Sequence, residues 1–388
     1  MSKKKVLVVA LGVIAMMIAM LVAGCGGAST ANEIKIGVDA ELTGGVASYG
    51  QSAVNGIKLA VKEINANGGV NGKQLVLVTA DNKSELSEAV NAMTKLISQD
   101  QVKAVLGPIV SANVLAASRV ATENRIPIIT PTGTNPKITV DDNGKVQEYV
   151  FRSCFIDPFQ GTVMANFASK TLKVKNAAIY MDSSSDYAKG LADQFEKTFA
   201  ANGGQIIAHE AYLAKDQDFK ATLTKIKATN PDVIFIPGYY QEIGLIVKQA
   251  RELGITVALL GGDGWDSPQL LEIAGAAPLN NCFFSNHYSP EDKDPKTVQF
   301  IEAYKKEYNQ NPEAFAALGY DAVMMLADAI KRANSDDPEK IKEALAAIQN
   351  LAGASGNITL NAQHDPIKSA VVLELKDGKA SFREKVNP

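Results

Sequence analysis

Four side chains able to engage a small polar ligand flank one strand-helix-strand passage of this sequence: Tyr239, Tyr240, Asp263 and Trp265. Asp232 to Ile236 is an apolar run of strand length stopped by Pro237-Gly238. Ile243, Val247, Ala250 and Leu253 then recur at helical spacing before Gly254, and a second strand, Thr256 to Leu260, ends at Gly261-Gly262-Asp263. A βαβ unit brings the ends of its two strands to the same edge of a parallel sheet, so Tyr239 and Asp263 are expected as neighbours there. A carboxylate among aromatic rings suits an ammonium group, through charge pairing and cation–π contact. An exposed loop acid beside ordinary core aromatics explains this stretch equally well on its own.

Two further loops follow predicted strands in the first half of the chain. Gly107-Pro108-Ile109-Val110-Ser111 opens a helix, with Ser111 expected at the N-cap and free backbone N–H groups beside it, an arrangement that attracts anions. Pro131-Thr132-Gly133-Thr134-Asn135-Pro136 adds hydroxyls and N–H groups in a loop that Pro and Gly keep from becoming helix. One such loop is ordinary capping; two at adjacent strand ends point to a carboxylate held by neutral donors. Tyr49 and Tyr187 each stand just before a predicted helix, where aromatic rings can wall a small pocket. Signatures of catalysis are missing: GxGxxG after a strand, a phosphate-binding loop, GxSxG and HExxH. His209, His287 and His364 are scattered, and Asp141-Asp142-Asn143-Gly144 starts a calcium-loop pattern without its closing Glu, so it reads as a turn. The expectation is a binding protein with no catalytic residues, no metal and no cofactor.

The elements that position these residues alternate between strand and helix patterns from Glu33 onward, which implies α/β architecture with two doubly wound parallel-sheet lobes joined by a multi-crossing hinge, and a ligand cleft between them. Predicted strands at Ile34 to Ala40, Leu75 to Thr79, Val102 to Leu106 and Ile126 to Thr130 build lobe one, with a helix from about Gln51 to Asn65 after the first. The rhythm restarts at Ala177 to Met181. Late helices and short strands near Ile358 return to lobe one, and a hairpin around Asp377-Gly378 completes lobe two. The expected division is lobe one at 33–152 with 286–361, and lobe two at 153–285 with 362–388.

The chain has 388 residues, 46% hydrophobic and 21% charged, ordinary values for a globular protein of two domains. Its N-terminus departs from that average. Lys3-Lys4-Lys5 precedes an apolar run from Val6 to Val22, short of the ~20 residues that span a bilayer. Residues 1–24 read as an export signal, the alternative being a retained anchor. Leu21-Val22-Ala23-Gly24-Cys25 resembles a bacterial lipobox, which implies lipidation of Cys25, with 25–32 as a flexible tether. Removing residues 1–24, which carry three lysines and no acids, takes the net charge from −3 to −6, so nucleic acid is not an expected partner. Cys154 and Cys282 match no metal or redox spacing and are expected to be buried, whether free or paired.

Several motifs agree in order and spacing with one family. They are Ile36-Gly37, Thr43-Gly44 and Tyr49-Gly50; Ile64-Asn65 to Gly72; Gly107-Pro108 with Ser111; Pro131 to Pro136; Phe159-Gln160-Gly161; Gly238-Tyr239-Tyr240; and Gly319-Tyr320-Asp321. Through them the whole mature chain resembles the bacterial leucine/isoleucine/valine-binding proteins, the solute receptors of branched-chain amino-acid ABC importers. The resemblance implies a type I periplasmic-binding fold and a monomer, outside the cytoplasmic membrane and attached to it through the lipid only, that delivers an amino acid to ABC permease membrane subunits. By position it gives Ser111, Thr132 (through its backbone) and Thr134 to the ligand carboxylate, with help to the ammonium. Tyr239 and Asp263 complete the ammonium site, and Tyr49, Tyr187 and Trp265 surround the ligand side chain. Two departures stand out: Asp263 replaces the commoner Glu, and Asn82-Lys83-Ser84 and Val110 occupy the region of a disulfide found in the best-known members. The same scaffold serving an amide, urea, an aromatic acid, a different amino acid or another small solute, a secreted enzyme, and a sensor ectodomain are the competing readings.

Overall fold

The computed structural model describes residues 32–387, so the expected leader, Cys25 and nearly all of the tether lie outside the described residues. Short runs of Val, Ile, Leu and Ala fold as buried strands because branched apolar side chains pack well on a sheet covered on both faces. The first sheet contains β1 (Glu33–Ala40), β2 (Gln74–Asp81), β3 (Ala104–Leu106), β4 (Ile128–Thr130) and β5 (Val150–Arg152), ordered β2-β1-β3-β4-β5. All its pairings are parallel, and its crossovers include α1 (Ala47–Ala66), α2 (Leu86–Ser98) and α3 (Ser111–Glu123). The order reverses between β1 and β3, and ligands of open α/β sheets bind outside the strand ends at such a switch point.

The chain then leaves for a second sheet through α4 (Asp157–Asn166). There β6 (Asn176–Asp182), α5 (Asp186–Ala201), β7 (Gln205–Tyr212), α6 (Lys220–Ala228), β8 (Val233–Phe235), α7 (Tyr240–Glu252), β9 (Ala258–Gly261), α8 (Pro268–Ala274) and β10 (Cys282–Asn286) repeat the first topology as β7-β6-β8-β9-β10. A return to the first lobe supplies α9 (Pro295–Tyr308), α10 (Ala314–Ala333), α11 (Pro338–Ala346), β11 (Leu351–Gly353) and β12 (Gly356–Ile358). Finally β13 (Ala370–Lys376) and β14 (Lys379–Val386) add an antiparallel hairpin beyond β10, turning at Asp377-Gly378, both at positive φ. The segments after Arg152, Asn286 and Ile358 are the three crossings between lobes.

Local departures from the expected pattern have local causes. The first helix begins at Ala47 rather than near Gln51, so Tyr49 stands in its first turn. The strands near Ile358 do not extend the first sheet; β11 and β12 pair with each other, and Asp321 of α10 fixes their turn by accepting the N–H groups of Ala354 (2.5 Å) and Ser355 (3.0 Å). Helices α1 and α10 cover one face of the first sheet at very close approach. A Cβ on Gly56 would lie 1.9 Å from the Ala316 carbonyl oxygen, and one on Gly319 would lie 2.2 Å from that of Ala53, so each helix offers a glycine to the other's backbone.

Candidate functional site

The acid expected at the end of β9 is the centre of a polar cluster in lobe two. Asp263 opens a short 3-10 turn, Asp263–Trp265, and is 3% exposed. One carboxylate oxygen accepts the Tyr187 hydroxyl (2.7 Å) and the Gln160 amide (3.1 Å); the other lies 2.9 Å from Nε2 of His287. Gln160 is itself held, its carbonyl oxygen accepting Ser285 Oγ (2.9 Å) and the Asp263 N–H (3.2 Å). Tyr187 reaches the acid because it lies in the first turn of α5, whose Ser185 cap accepts the Ala188 N–H (3.3 Å). Its ring stacks on Tyr239 with centroids 5.1 Å apart. Asp263 therefore holds a fixed orientation, with aromatic faces beside it, as a receptor for a cation requires.

A second acid lies close by. Asp157, at the start of α4, is fully buried; one oxygen accepts the Gln160 amide (3.1 Å) and the other has no hydrogen-bond partner. Burial pushes its carboxyl up to about 7, and the charge of Asp263 acts in the same direction. Thr134 Oγ1, 1% exposed on the facing loop, also lacks a partner, while its carbonyl accepts the Asp157 N–H (3.0 Å). The Thr134 hydroxyl partly offsets the rise in the Asp157 pKa, which makes these two groups each other's nearest partners.

The lobe-one loops come together as expected, with one difference in how they are built. Ser111 is the first residue of α3 rather than its cap, which is Val110. The neighbouring N–H groups of Ile109 and Val110 are not free: both donate to Glu41 (3.1 and 3.3 Å), which also accepts the Asn113 amide (2.8 Å). Glu41 is wholly buried just beyond β1, and burial raises its pKa. What Ser111 offers is its hydroxyl, which accepts the Asn135 N–H at 3.3 Å. Thr132 ties the two loops together by donating its hydroxyl to the Ile109 carbonyl (2.7 Å).

Ser111, Thr132, Tyr187, Tyr239 and Asp263 line one narrow void between the lobes, with Ile109, Val110, Gly264 and Phe315. Its volume is about 10 Å³, room for no more than one water, so a larger ligand enters only when the lobes separate. Tyr49 closes this space from lobe one. Its ring stacks on Phe315 (4.2 Å between centroids), and its hydroxyl donates to the Gly264 carbonyl and accepts the Tyr240 N–H (3.1 Å). Ser48 with Ser267 (2.8 Å), and Asn135 with the Asp186 carbonyl (3.2 Å), bridge the same cleft. Thr134 and Tyr49 are not among the residues that line this void, and neither is Trp265. The Trp265 indole packs in the lobe-two core against Gly261 and donates to the Ile236 carbonyl (3.0 Å).

His287, Gln160, Asp157 and Glu41 were not identified from sequence as site residues. Glu41 and His287 had a usable signal: each stands at the end of a strand on the ligand-facing edge. Gln160 was visible only within a family motif, and Asp157 had no sequence signal beyond its place on the first crossing. Cys154 and Cys282 are buried and unpaired, and burial pushes both thiols up to about 12. Among the described residues no group of acids, histidines and cysteines is arranged to hold a metal ion, and no helix is long and apolar enough to cross a membrane.

Residues 33–380 match the sequence model of a family described as periplasmic binding protein. The chain is 35% identical over 328 residues to the Leu/Ile/Val-binding protein BraC3 of Rhizobium johnstonii, covering 84% of this chain and 87% of that protein. Among solved structures it is similar to the leucine binding protein LivK of Thermotoga maritima, at 42% identity and a TM-score of 0.87 over 92% of this chain and 99% of the other. It is equally similar in shape to the branched-chain amino acid transporter substrate binding protein LivJ of Streptococcus pneumoniae in complex with isoleucine, at 39% identity and a TM-score of 0.87 over 92% and 100%. These relatives are binding proteins, not enzymes.

Proposed function

The chain belongs to the periplasmic binding protein family, and on that premise we propose that it captures a small, branched aliphatic α-amino acid between its lobes and delivers it to an ABC permease. The observation that carries this reading is the pairing of opposite chemistries across one void: Ser111 and Thr132 on lobe one, and an oriented carboxylate, Asp263, on lobe two. A zwitterion satisfies both. Its carboxylate takes the lobe-one donors, and its ammonium takes Asp263 with Tyr239. An amide, urea or aromatic acid brings no cation for Asp263, so the amino acid is favoured over them. Tyr49 and Tyr187 wall the side chain; we leave Trp265 to the support of the turn that carries Asp263. The relatives that bind leucine or isoleucine support an aliphatic side chain.

In this reading the lobes are 33–152 with 286–361 and 153–285 with 362–388, supported by which sheet each strand joins. The ligand bridges them and stabilises the closed form by its differential affinity for it. The receptor works outside the cytoplasmic membrane as a monomer, tethered by lipid on Cys25 after removal of residues 1–24. Isothermal titration of the ligand-stripped chain against single amino acids tests the central claim: one of leucine, isoleucine or valine binds tightly with a negative heat-capacity change. Binding to none of the amino acids sinks it. D263A leaves a buried ammonium unpaired, at ~3–5 kcal/mol, and weakens binding by about a hundredfold or more. For the anchor, mass spectrometry of membrane fractions finds diacylglycerol on Cys25 and finds the C25S chain released.

A further inference from the structure

Asp263 does not face the ligand space as an isolated charge. Nε2 of His287 lies 2.9 Å from its second oxygen, and the imidazole side chain is 1% exposed. His287 follows β10 directly, so it belongs to the second crossing between lobes. Phe155, on the first crossing, stacks on its ring with centroids 3.6 Å apart. The other ring nitrogen, Nδ1, has no hydrogen-bond partner. A neutral imidazole that donates from Nε2 to Asp263 and leaves Nδ1 unprotonated fits this environment, because a proton on Nδ1 would be a buried donor with nothing to receive it.

We propose that His287 sets the charge that Asp263 presents to a ligand: neutral His287 orients an ionised Asp263, and protonated His287 cancels that charge and expels the ligand's ammonium. The inference rests on the amino-acid reading of the site. It follows from the geometry because one carboxylate oxygen, Oδ2, meets the His287 imidazole, and an imidazolium and an ammonium would compete for the same anion.

The surroundings fix the direction. Burial lowers the pKa of His287 below its ordinary 6.5; Asp263 opposes that shift, and the Lys368 charge on the third crossing adds to it. Lys368 is itself 4% exposed and close to Asp321 (3.8 Å). From α4, Asp157 acts on the same site through Gln160. The base is therefore neutral near neutral pH and takes a proton only in acid. His287 also lines a polar cavity of about 300 Å³ on the hinge, with Asp292, Asp294, Lys368 and Lys385. By linkage, a ligand that excludes the proton is excluded by it to the same extent.

The test compares affinity within each variant at about pH 7.5 and about pH 5, using whichever of leucine, isoleucine or valine binds the wild type most tightly. Calorimetry in buffers of different ionisation heat counts the protons released. The wild type loses affinity by up to about tenfold per pH unit below the His287 pKa and releases close to one proton per ligand. H287Q keeps a neutral donor toward Asp263 and loses that acid-range dependence, while D157N retains it, which separates His287 from the nearby acid. An unchanged acid dependence in H287Q, or none in the wild type, overturns the proposal. Failure of the wild type to bind any amino acid at about pH 7.5 overturns the amino-acid reading instead. NMR of ¹³C-labelled histidine then still decides the pairing in the ligand-free chain, which has three histidines: the His287 signal titrates below 6.5 and shifts further down in D263N, whereas an ordinary, D263N-insensitive titration refutes it.

Discussion

At the scale of single residues, the site concentrates acids whose protonation the fold has moved, and Asp157 gives the most direct consequence. Its carboxyl ordinarily titrates near 3.8, and burial raises that to about 7. An acid whose folded pKa lies above its unfolded value opposes folding when ionised, so its contribution is absent below the unfolded pKa and grows as pH rises toward the folded one. The contribution of Asp157 to the stability of the ligand-free chain should therefore fall between pH ~4 and ~7, by about 4 kcal/mol at ~1.4 kcal/mol per unit, and change no further above that. D157N removes the cost: its unfolding temperature rises by several degrees over wild type near pH ~8 and shows no such gain near pH ~4. Thermal scans at the two values check this, and an equal difference at both would contradict it. Such a residue was not legible beforehand. An Asp before a Pro reads as a routine helix start, and only the packed lobes show that it is buried beside Asp263.

At the scale of elements, much more was legible. Most of the parallel strands were readable because they are short apolar runs between glycine, proline or polar breaks, and doubly wound lobes followed from their alternation with helices, whereas Val150–Arg152, expected only as an extended crossing, joins the first sheet as its edge strand. What sequence did not convey was which backbones touch. Gly319, visible only as part of Gly319-Tyr320-Asp321, turns out to let α10 lie on α1, with Gly56 reciprocating. A side chain at either position must push the helices apart. Together α1 and α10 carry Tyr49 and Phe315, whose stacked rings face the cleft, so the damage extends to the site. G319V should cost at least the ~1–3 kcal/mol typical of overpacking and weaken ligand binding as well; denaturant unfolding with calorimetry on the same sample reads both. A stable G319V chain with normal affinity would mean the helices separate without moving Tyr49.

At the scale of the whole molecule, the three crossings matter because the groups proposed to hold the ligand are divided between lobes, and closure must be worth something before and after the ligand arrives. Tyr49 is the contact that ties the lobes most directly. Its hydroxyl on α1 meets both the Gly264 carbonyl and the Tyr240 N–H of lobe two, all buried. This role was not evident from the sequence, where Tyr49 looked like a pocket wall; its partners are backbone groups, and backbone partners have no sequence signature. Y49F keeps the ring stacked on Phe315 but leaves a buried carbonyl and N–H unpaired whenever the lobes close, at ~1–3 kcal/mol. Closure falls within that free energy, so the dissociation constant rises by about 5- to 150-fold. Most of the change should appear as faster release, because the hydroxyl acts after the lobes meet rather than during encounter. Small-angle scattering of the ligand-free Y49F chain should report a larger radius of gyration than wild type. If release and radius both match wild type, the lobes are held by the ligand-facing groups alone, and Tyr49 is a wall after all.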